Sequence, residues 1–476
     1  MSLSPENRKK TPPQIASKWG TLAVVGLGTF MAALDGSVVN VALPVIRQVT
    51  QASVSSVEWV ILAYLIAVSS SLLVFGRLAD IYGKRFIYMT GQLVFVLGSL
   101  GCGLAGHIGG LIAARVLQGT GAAMMIALSP SILVSAFPGN ERGRALGMQA
   151  TLTYLGLSIG PALGGFLTQH FGWPSIFFVN VPIGLCALAA AHRVLHVDRQ
   201  GADQPFDPAG ASAMAVSLAA LVFVLSKGGD LGWGHPLIAG LAALAAVAGG
   251  LFVAVERRTA HPALDFGLFS NRTFSASVLA AYLCYMSTAA VGFLMPFYLL
   301  TAVGHEAARA GLMLMAHPLA MLAVTGPSGF LSDKLGVRWP ATVGMVLMAI
   351  GLAWLSQLQL ETAPGQIAAL LAVIGVGAGL FTSPNNSAIM GSVPKNRQGV
   401  AGALLGTART VGFASGVATA GLIYMARLGA PGGTETPAEI AAAVRMGLRV
   451  AAGLALVAAV CSALRGRGAE CRMGRL

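Results

Sequence analysis

The fold class predicted is an all-α integral membrane protein with fourteen transmembrane helices: two six-helix bundles with two extra helices between them. Three observations predict it. The 476-residue chain is 55% hydrophobic and only 10% charged, whereas a soluble domain carries roughly 25% charged residues. Its apolar residues fall into runs of about 20, the length a helix needs to cross a hydrocarbon core of ~30 Å. The alternating ~10-residue segments of a membrane barrel are absent. Finally, the net charge of +13 is gathered into short basic clusters between the runs, which is the pattern of cytoplasmic loops rather than of a nucleic-acid surface.

In order, the apolar runs are 19–45, 58–79, 86–106, 109–136, 145–168, 176–196, 211–227, 236–255, 274–302, 308–331, 340–358, 366–392, 398–426 and 441–464. Fourteen is even, so both termini fall on one side. Of the 30 Lys and Arg, twenty-two then map to the face of the termini, six to the other, and two (Arg115 and Arg409) stay inside spans. That asymmetry places both termini in the cytoplasm of a cell membrane. Arg8, Lys9, Lys10 and Lys18 precede the first run. That run is too long for a signal peptide and has no A-x-A site, so it reads as an uncleaved span. Cys102, Cys186, Cys284, Cys461 and Cys471 show no metal spacing and four of them read as small packing residues in or beside spans.

An internal repeat organises the chain. "GRLADIYGKR" (76–85) and "GFLSDKLGVR" (329–338) share Gly, Asp, Gly and a basic end at the same spacing, 253 residues apart. Two directly joined six-span halves would place the copies ~200 apart, and the excess fits two further spans at ~20 residues each. The polar stretches 192–210 and 256–274 bracket those spans, 211–227 and 236–255. The expected organisation is a bundle over 1–197, a linker with two additional helices over 198–262, and a second bundle over 263–476. Repeats of this kind are the usual construction of secondary transporters.

Four motifs carry a family likeness: "GRLADIYGKR" after span 2, "GLSIGPALGG" (156–165) in span 5, "LDGSVVNVALP" (34–44) in span 1 and "RVLQGTGAAM" (115–124) in span 4. With them the chain resembles the major facilitator superfamily and, within it, the fourteen-span drug:proton antiporters. The first motif implies a conformational latch between bundles, with Gly76, Asp80, Gly83 and Arg85, and Asp333 in the second copy. Gly76 and Gly83 permit tight turns and close helix ends, and Asp80 would face the start of span 13, after Arg397. In the second motif Gly156, Gly160 and Gly164 are four apart and form a flat face for close helix packing. Gly165 follows, and Pro161 removes a backbone donor. This pattern is typical of exporting members. Its embedded Gly-x-Ser-x-Gly needs a strand–turn–helix to be a hydrolase elbow, and Ser158 lies in mid-span. Pro174-Ser175 departs from the Arg-Trp usual in the family, which touches an outer loop.

The acids point to chemistry without the family. Sorted by position, ten lie on the side of the termini and six, Glu58 included, on the other, leaving Asp35 alone deep in a span. An ionisable residue at membrane depth costs about 2.5–3.5 kcal/mol on insertion scales and is a functional candidate by default. Its expected partner is Arg115, with a difference in depth of ~6–9 Å from 1.5 Å per residue. Burial favours a protonated acid and a near guanidinium favours the carboxylate, so a separation that changes with conformation couples proton binding to which side is open. The alternative is a static ion pair.

Arg409 is the second internal cation, with pairing to helix carbonyls as its structural alternative. His317, beside Pro318, is either a second titrating group or a hydrogen-bonded structural histidine. Asn385 and Asn386 follow Pro384 and either line a cavity or join helices. Cavity-wall candidates are Phe30, Met31, Asn40, Gln118, Tyr282, Tyr285, Met286, Phe293, Met295 and Met313, since large soft side chains suit promiscuous sites. There is no phosphate-binding loop, so energy is expected from a proton gradient, with no cofactor or metal and no nucleic-acid partner. The expected partners are protons, a small organic molecule and the bilayer. The expected function is export of amphipathic compounds by a monomeric antiporter, not an enzyme. A nutrient importer and a non-transporting receptor are the alternatives.

Overall fold

A computed structural model describes residues 18–138, 141–195, 208–232, 234–258, 266–394, 398–428 and 435–465. The elements are α1 (Lys18–Thr50), α2 (Val54–Tyr82), α3 (Lys84–Gly103), α4 (Ile108–Ala136), α5 (Arg142–Phe171), α6 (Ser175–Phe178), α7 (Asn180–Val194), α8 (Pro208–Leu231), α9 (Pro236–Arg258), α10 (Arg272–Phe297), α11 (Ala307–Leu335), α12 (Arg338–Leu355), α13 (Pro364–Gly391), α14 (Gln398–Leu428) and α15 (Pro437–Ala463). The short α6 and α7 together make the sixth pass, so the helices cross fourteen times. Thirteen passes are long and apolar enough to span a membrane, and α8 is the other. Helices α2, α5 and α8 overrun their apolar runs by three or four residues at each end, while α3 and α12 stop three residues short of theirs, since helix ends are not fixed by hydropathy alone.

The helices pack as two bundles, α1–α7 and α10–α15. In the first, α1 lies on α5, and α4 on α2 and α3; in the second, α13 lies on α11 and α12, and α10 on α14 and α15. Between the bundles α5 meets α11 and α2 meets α14, while the pair α8–α9 is lodged with α8 against α2 and α14. Ser217 of α8 donates to the Ala245 carbonyl of α9 at 2.8 Å.

The repeated loop has a local physical cause. Gly83 and Gly336 hold the same place in the two copies and adopt φ +93° and +77°. This is backbone that glycine enters without steric cost, and it reverses the chain between one long helix and the next. Gly83 also donates to the Ala79 carbonyl at 2.9 Å, closing α2. Gly76 does not mark a close approach, since a Cβ there would meet nothing within 4 Å.

The two faces of the molecule differ. The face holding Lys18 and Ala463 is called the terminal face below, and the opposite one the far face. Toward the far face one hydrophobic core runs through both bundles, from Val38–Ile46 of α1 and Val57–Leu62 of α2 to Phe293–Leu299 and Val417–Tyr424. Toward the terminal face the cores separate, one around Tyr88, Phe95 and Leu133, the other around Phe274, Ile389 and Leu404. Polar contacts close the far face as well. Arg47 holds Glu435 through two nitrogens at 2.5 and 2.7 Å. Gln169 donates to Glu306 and accepts from the Ala308 backbone, both at 2.9 Å. Among the described residues the bundles are therefore joined at the far face, and their cores are separate toward the terminal face.

Candidate functional site

Asp35 sits mid-way along α1 and is fully buried. Its Oδ2 accepts from Arg115 Nη1 at 2.5 Å, and its Oδ1 from Gln118 Nε2 at 2.7 Å and Asn180 Nδ2 at 3.0 Å. The separation expected from depth alone is thus closed: α4 and α1 approach enough for direct contact. Arg115 is itself satisfied. Its Nε donates to the Val60 carbonyl at 2.9 Å, its Nη1 also to Gln118 Oε1 at 2.6 Å, and its guanidinium lies 4.2 Å from the centre of the Tyr64 ring. Gln118 Nε2 reaches Ser99 Oγ at 2.8 Å, and Ser99 donates onward to the Phe95 carbonyl. Five helices, α1, α2, α3, α4 and α7, thus feed one buried polar network. A buried charge pair gains most when further hydrogen bonds meet its remaining atoms; here both Asp35 oxygens and Arg115 Nε and Nη1 are bonded, while Asn180 Oδ1 has no partner among the described residues.

The spacing of the residues explains the assembly. Arg115 and Gln118 are one helical turn apart on α4, so both side chains leave one face. Behind α1, the small-residue face of α5 makes the approach possible. A Cβ on Gly156 would fall 2.6 Å from the Phe30 carbonyl, and one on Gly164 2.6 Å from that of Val38. One on Gly160 would overlap Ser37. Three glycines therefore press α5 onto the segment of α1 that brackets Asp35. The next residue reaches the other bundle: Gly165 lies on the Ala307 backbone of α11, and Gly311 on the backbone of Pro161.

Several expected wall residues lie elsewhere. Met31 is packed inside the first bundle, and Phe293, Met295 and Met313 in the shared core. Their apolar side chains gain more from packing than from lining an opening. Gln118 belongs to the Asp35 network. Asn385 is buried in the second bundle, where it donates to the Ser277 carbonyl at 3.2 Å and accepts from Arg465. Arg465, counted with the surface cations of the terminal face, is in fact 3% exposed. Phe30, Asn40, Tyr282, Tyr285, Met286 and His317 are half-buried. Asn40 faces Gly292 of α10 across the bundles, and the Tyr285 ring lies 5.6 Å from that of Phe413. Arg409 is exposed in mid-helix and acts electrostatically on Tyr154 of α5 and Tyr285 of α10. Tyr285 and Phe413 thus pair as rings of the second bundle, with Tyr154 of α5 and Arg409 of α14 near enough to act on Tyr285 electrostatically. The His317 Nε2 is buried without a hydrogen-bond partner among the described residues.

Arg85 donates to the His192 carbonyl at 2.8 Å, within the first bundle rather than across to the second. The side chains of Asp80 and Asp333 and the segment 395–397, expected to face each other in the latch, lie outside the described residues. Sequence reasoning missed Asn180, Ser99 and Tyr64, which look like ordinary polar residues of apolar runs. It also missed Glu58. Placed on the outer side, Glu58 does lie toward the far face, but fully buried in the first turns of α2, against Gly421 of α14. Near it Lys227 of α8 donates to Ser55. Among the described residues no cluster of three or more His, Cys, Asp or Glu could hold a metal ion.

The sequence profile described as Major Facilitator Superfamily matches residues 25–270 and 277–469. The chain belongs to the major facilitator superfamily. This transporter is 34% identical over 404 residues to the riboflavin transporter RibZ of Clostridioides difficile, covering 84% of this chain and 87% of that protein. It is 32% identical to the multidrug resistance protein Stp of Mycobacterium tuberculosis, over 86% of this chain and 76% of the relative. Against the tetracenomycin C resistance and export protein of Streptomyces glaucescens it is also 32% identical, over 86% of this chain and 77% of the relative. Among solved structures, a peptide transporter POT with sulfate superposes with a TM-score of 0.68 at 15% identity, covering 93% of each chain. The inward-open xylose transporter XylE of E. coli gives 0.64 at 14%, covering 93% of this chain and 95% of that one. These two share the fold. The transporter is thus a multi-pass membrane protein, and it is not an enzyme.

Proposed function

We propose that this protein is a proton-coupled antiporter of the cytoplasmic membrane that exports amphipathic organic compounds, working as a monomer with both termini in the cytoplasm. The observation that carries the reading is the buried Asp35–Arg115 pair held beneath the glycine face of α5. With Asp35 ionised, Arg115 is neutralised and α1 is tied to α4. A proton arriving on Asp35 removes one charge, so the Arg115 interaction weakens and α1 is freed to move against α5. Because α5 also touches α11 through Gly165, a shift there is passed to the other bundle. Each cycle would return one proton per carboxylate, and a charge crossing 100 mV supplies about 2.3 kcal/mol.

Substrate would bind between the bundles, against Phe30, Tyr282, Tyr285, Met286 and Phe413, with Arg409, His317 and Asn40 as polar contacts. Flat aromatic walls with a single cation suit polycyclic or heteroaromatic molecules bearing a polar edge. Gly76, Asp80, Gly83, Arg85 and Asp333 would hold the terminal face shut in the opposite state, with the organisation 1–197, 198–262 and 263–476 moving as two bundles around an inserted pair. The second reading, an importer of a heteroaromatic nutrient, is favoured by the likeness to a riboflavin transporter.

Liposomes loaded with a pH-sensitive dye and given a fluorescent polycyclic substrate separate the readings. Antiport moves protons opposite to substrate, and Asp35→Asn abolishes that movement. Protons moving with the substrate would establish the importer instead. No proton movement at all would remove the coupling role of Asp35.

A further inference from the structure

On its lipid-facing wall the first bundle carries a groove of about 760 Å³ between α3 and α7. Its floor and sides are apolar: Tyr82, Phe86, Met89, Leu93, Leu185 and Leu188. Phe86 is 61% exposed and Leu185 50%. Arg85, His192 and Arg193 stand at one end, and among the described residues no acidic side chain lines it. The Arg85 hydrogen bond to the His192 carbonyl ties α3 to α7 at that end.

We propose that this groove binds one anionic glycerophospholipid, with its phosphate between Arg85 and Arg193 and one acyl chain laid along Met89, Leu93 and Leu185. Dimensions argue for a lipid. Arg85 to Leu93 is eight residues along α3 and Leu185 to Arg193 eight along α7, so each wall is ~12 Å long at 1.5 Å per residue. One leaflet's hydrocarbon is half of ~30 Å. The cations therefore stand at headgroup depth while the apolar slot runs the length of an acyl chain. The charge argues for an anion. Two guanidinia without a carboxylate between them favour a phosphate whose headgroup carries no compensating amine, since guanidinium and phosphate match as a two-point hydrogen-bonding pair. Basic pockets between membrane helices are a recurring site for such headgroups. The assignment needs only that the chain spans a bilayer, and is independent of the direction of transport and of proton coupling.

Native mass spectrometry of the full-length protein, purified with added phosphatidylglycerol or phosphatidylcholine of the same acyl chains, tests it. Wild type is expected to retain one phosphatidylglycerol in preference to phosphatidylcholine. Arg193→Gln is expected to cut that preference roughly five-fold, from about 1 kcal/mol per basic residue near a headgroup. Leu93→Trp fills the slot while sparing the charges and is expected to lower retention of the lipid. Arg338→Gln, on the same face of the other bundle, leaves it unchanged, as does Asp35→Asn, so failure here and failure of the antiport reading are separately visible. Equal retention of both lipids by wild type, or an unchanged preference in Arg193→Gln protein that elutes as a single monodisperse species, overturns the proposal. Displacement by inorganic phosphate alone, unaffected by Leu93→Trp, would make the site one for a free anion and also overturn it.

Discussion

Gly83 and Gly336 turn the chain in the same way at the same place of the two bundles, yet the bundles bury opposite polar interiors. In the first, the carboxylate of Asp35 accepts three hydrogen bonds and neutralises Arg115. In the second, Arg465 is the buried charge. It donates to Asn385 and Ser462, lies 6.0 Å from the Phe381 ring, and keeps Nε and Nη1 unpartnered among the described residues. Burial pushes its guanidinium down to about 10, which still leaves it charged at neutral pH. One bundle holds an acid that can gain or lose a proton beside a fixed cation. The other holds a cation beside neutral amides and hydroxyls. The repeat was copied as a scaffold, and on the proposed mechanism the proton chemistry belongs to one copy.

Four measurements would break or sharpen that contrast. The largest effect is expected from Asp35→Asn, which should reduce proton-driven exchange to the level of protein-free vesicles while substrate still equilibrates down its own gradient. Loss of both would make Asp35 a structural residue. Next, Arg115→Met leaves a buried acid without its partner and should destabilise the protein by about 3–5 kcal/mol in thermal unfolding. Arg465→Met leaves no stranded charge, only the buried Asn385 oxygen without its donor, and should cost less, about 1–3 kcal/mol. Equal losses would erase the distinction between the two interiors. Gly160→Ala, whose new methyl collides with Ser37, should cost about 1–3 kcal/mol by overpacking. Gly36→Ala, where nothing lies within 4 Å, should gain up to about 1 kcal/mol from helix propensity. The smallest effect is expected from Arg47→Gln. That ion pair is about a quarter exposed on each side, and such pairs contribute about 0–1 kcal/mol. Stability should hardly move, while reagent access from the far face should rise.

Much of the architecture was legible because the bilayer makes it so: each pass must satisfy its own backbone and so declares itself as a long apolar run. The Asp35–Arg115 pairing was legible for the same reason, since depth follows from residue count. What depth does not give is azimuth. Met31 and Phe30 are neighbours on α1, but one enters the bundle core and the other stays half-buried. Fourteen nearly all-apolar helices carry little periodicity to tell these apart. Asn180 and Ser99 were hidden because a lone amide or hydroxyl in an apolar run is common and cheap. The burial of Glu58 was hidden because it lies one turn inside α2, at the outer end of a run, where a buried and an exposed side chain look alike in sequence. Asn385 was read from the proline before it, yet α13 passes through Pro384 unbroken.

The crossing of α5 and α11 has a mechanical consequence. Gly165 meets Ala307 and Gly311 meets Pro161, so the two helices touch backbone to backbone close to one end. From Pro161 to the start of α5 at Arg142 is ~28 Å, but to its end at Phe171 only ~15 Å, at 1.5 Å per residue. A pivot placed there has unequal arms. Tilting the helices by ~10° would swing the terminal-face ends by ~5 Å and the far ends by about half as much. One mouth therefore has a long throw and the other a short one. The short-throw side is where a handful of well-placed contacts, Arg47 with Glu435 and Gln169 with Glu306, suffices to seal the opening.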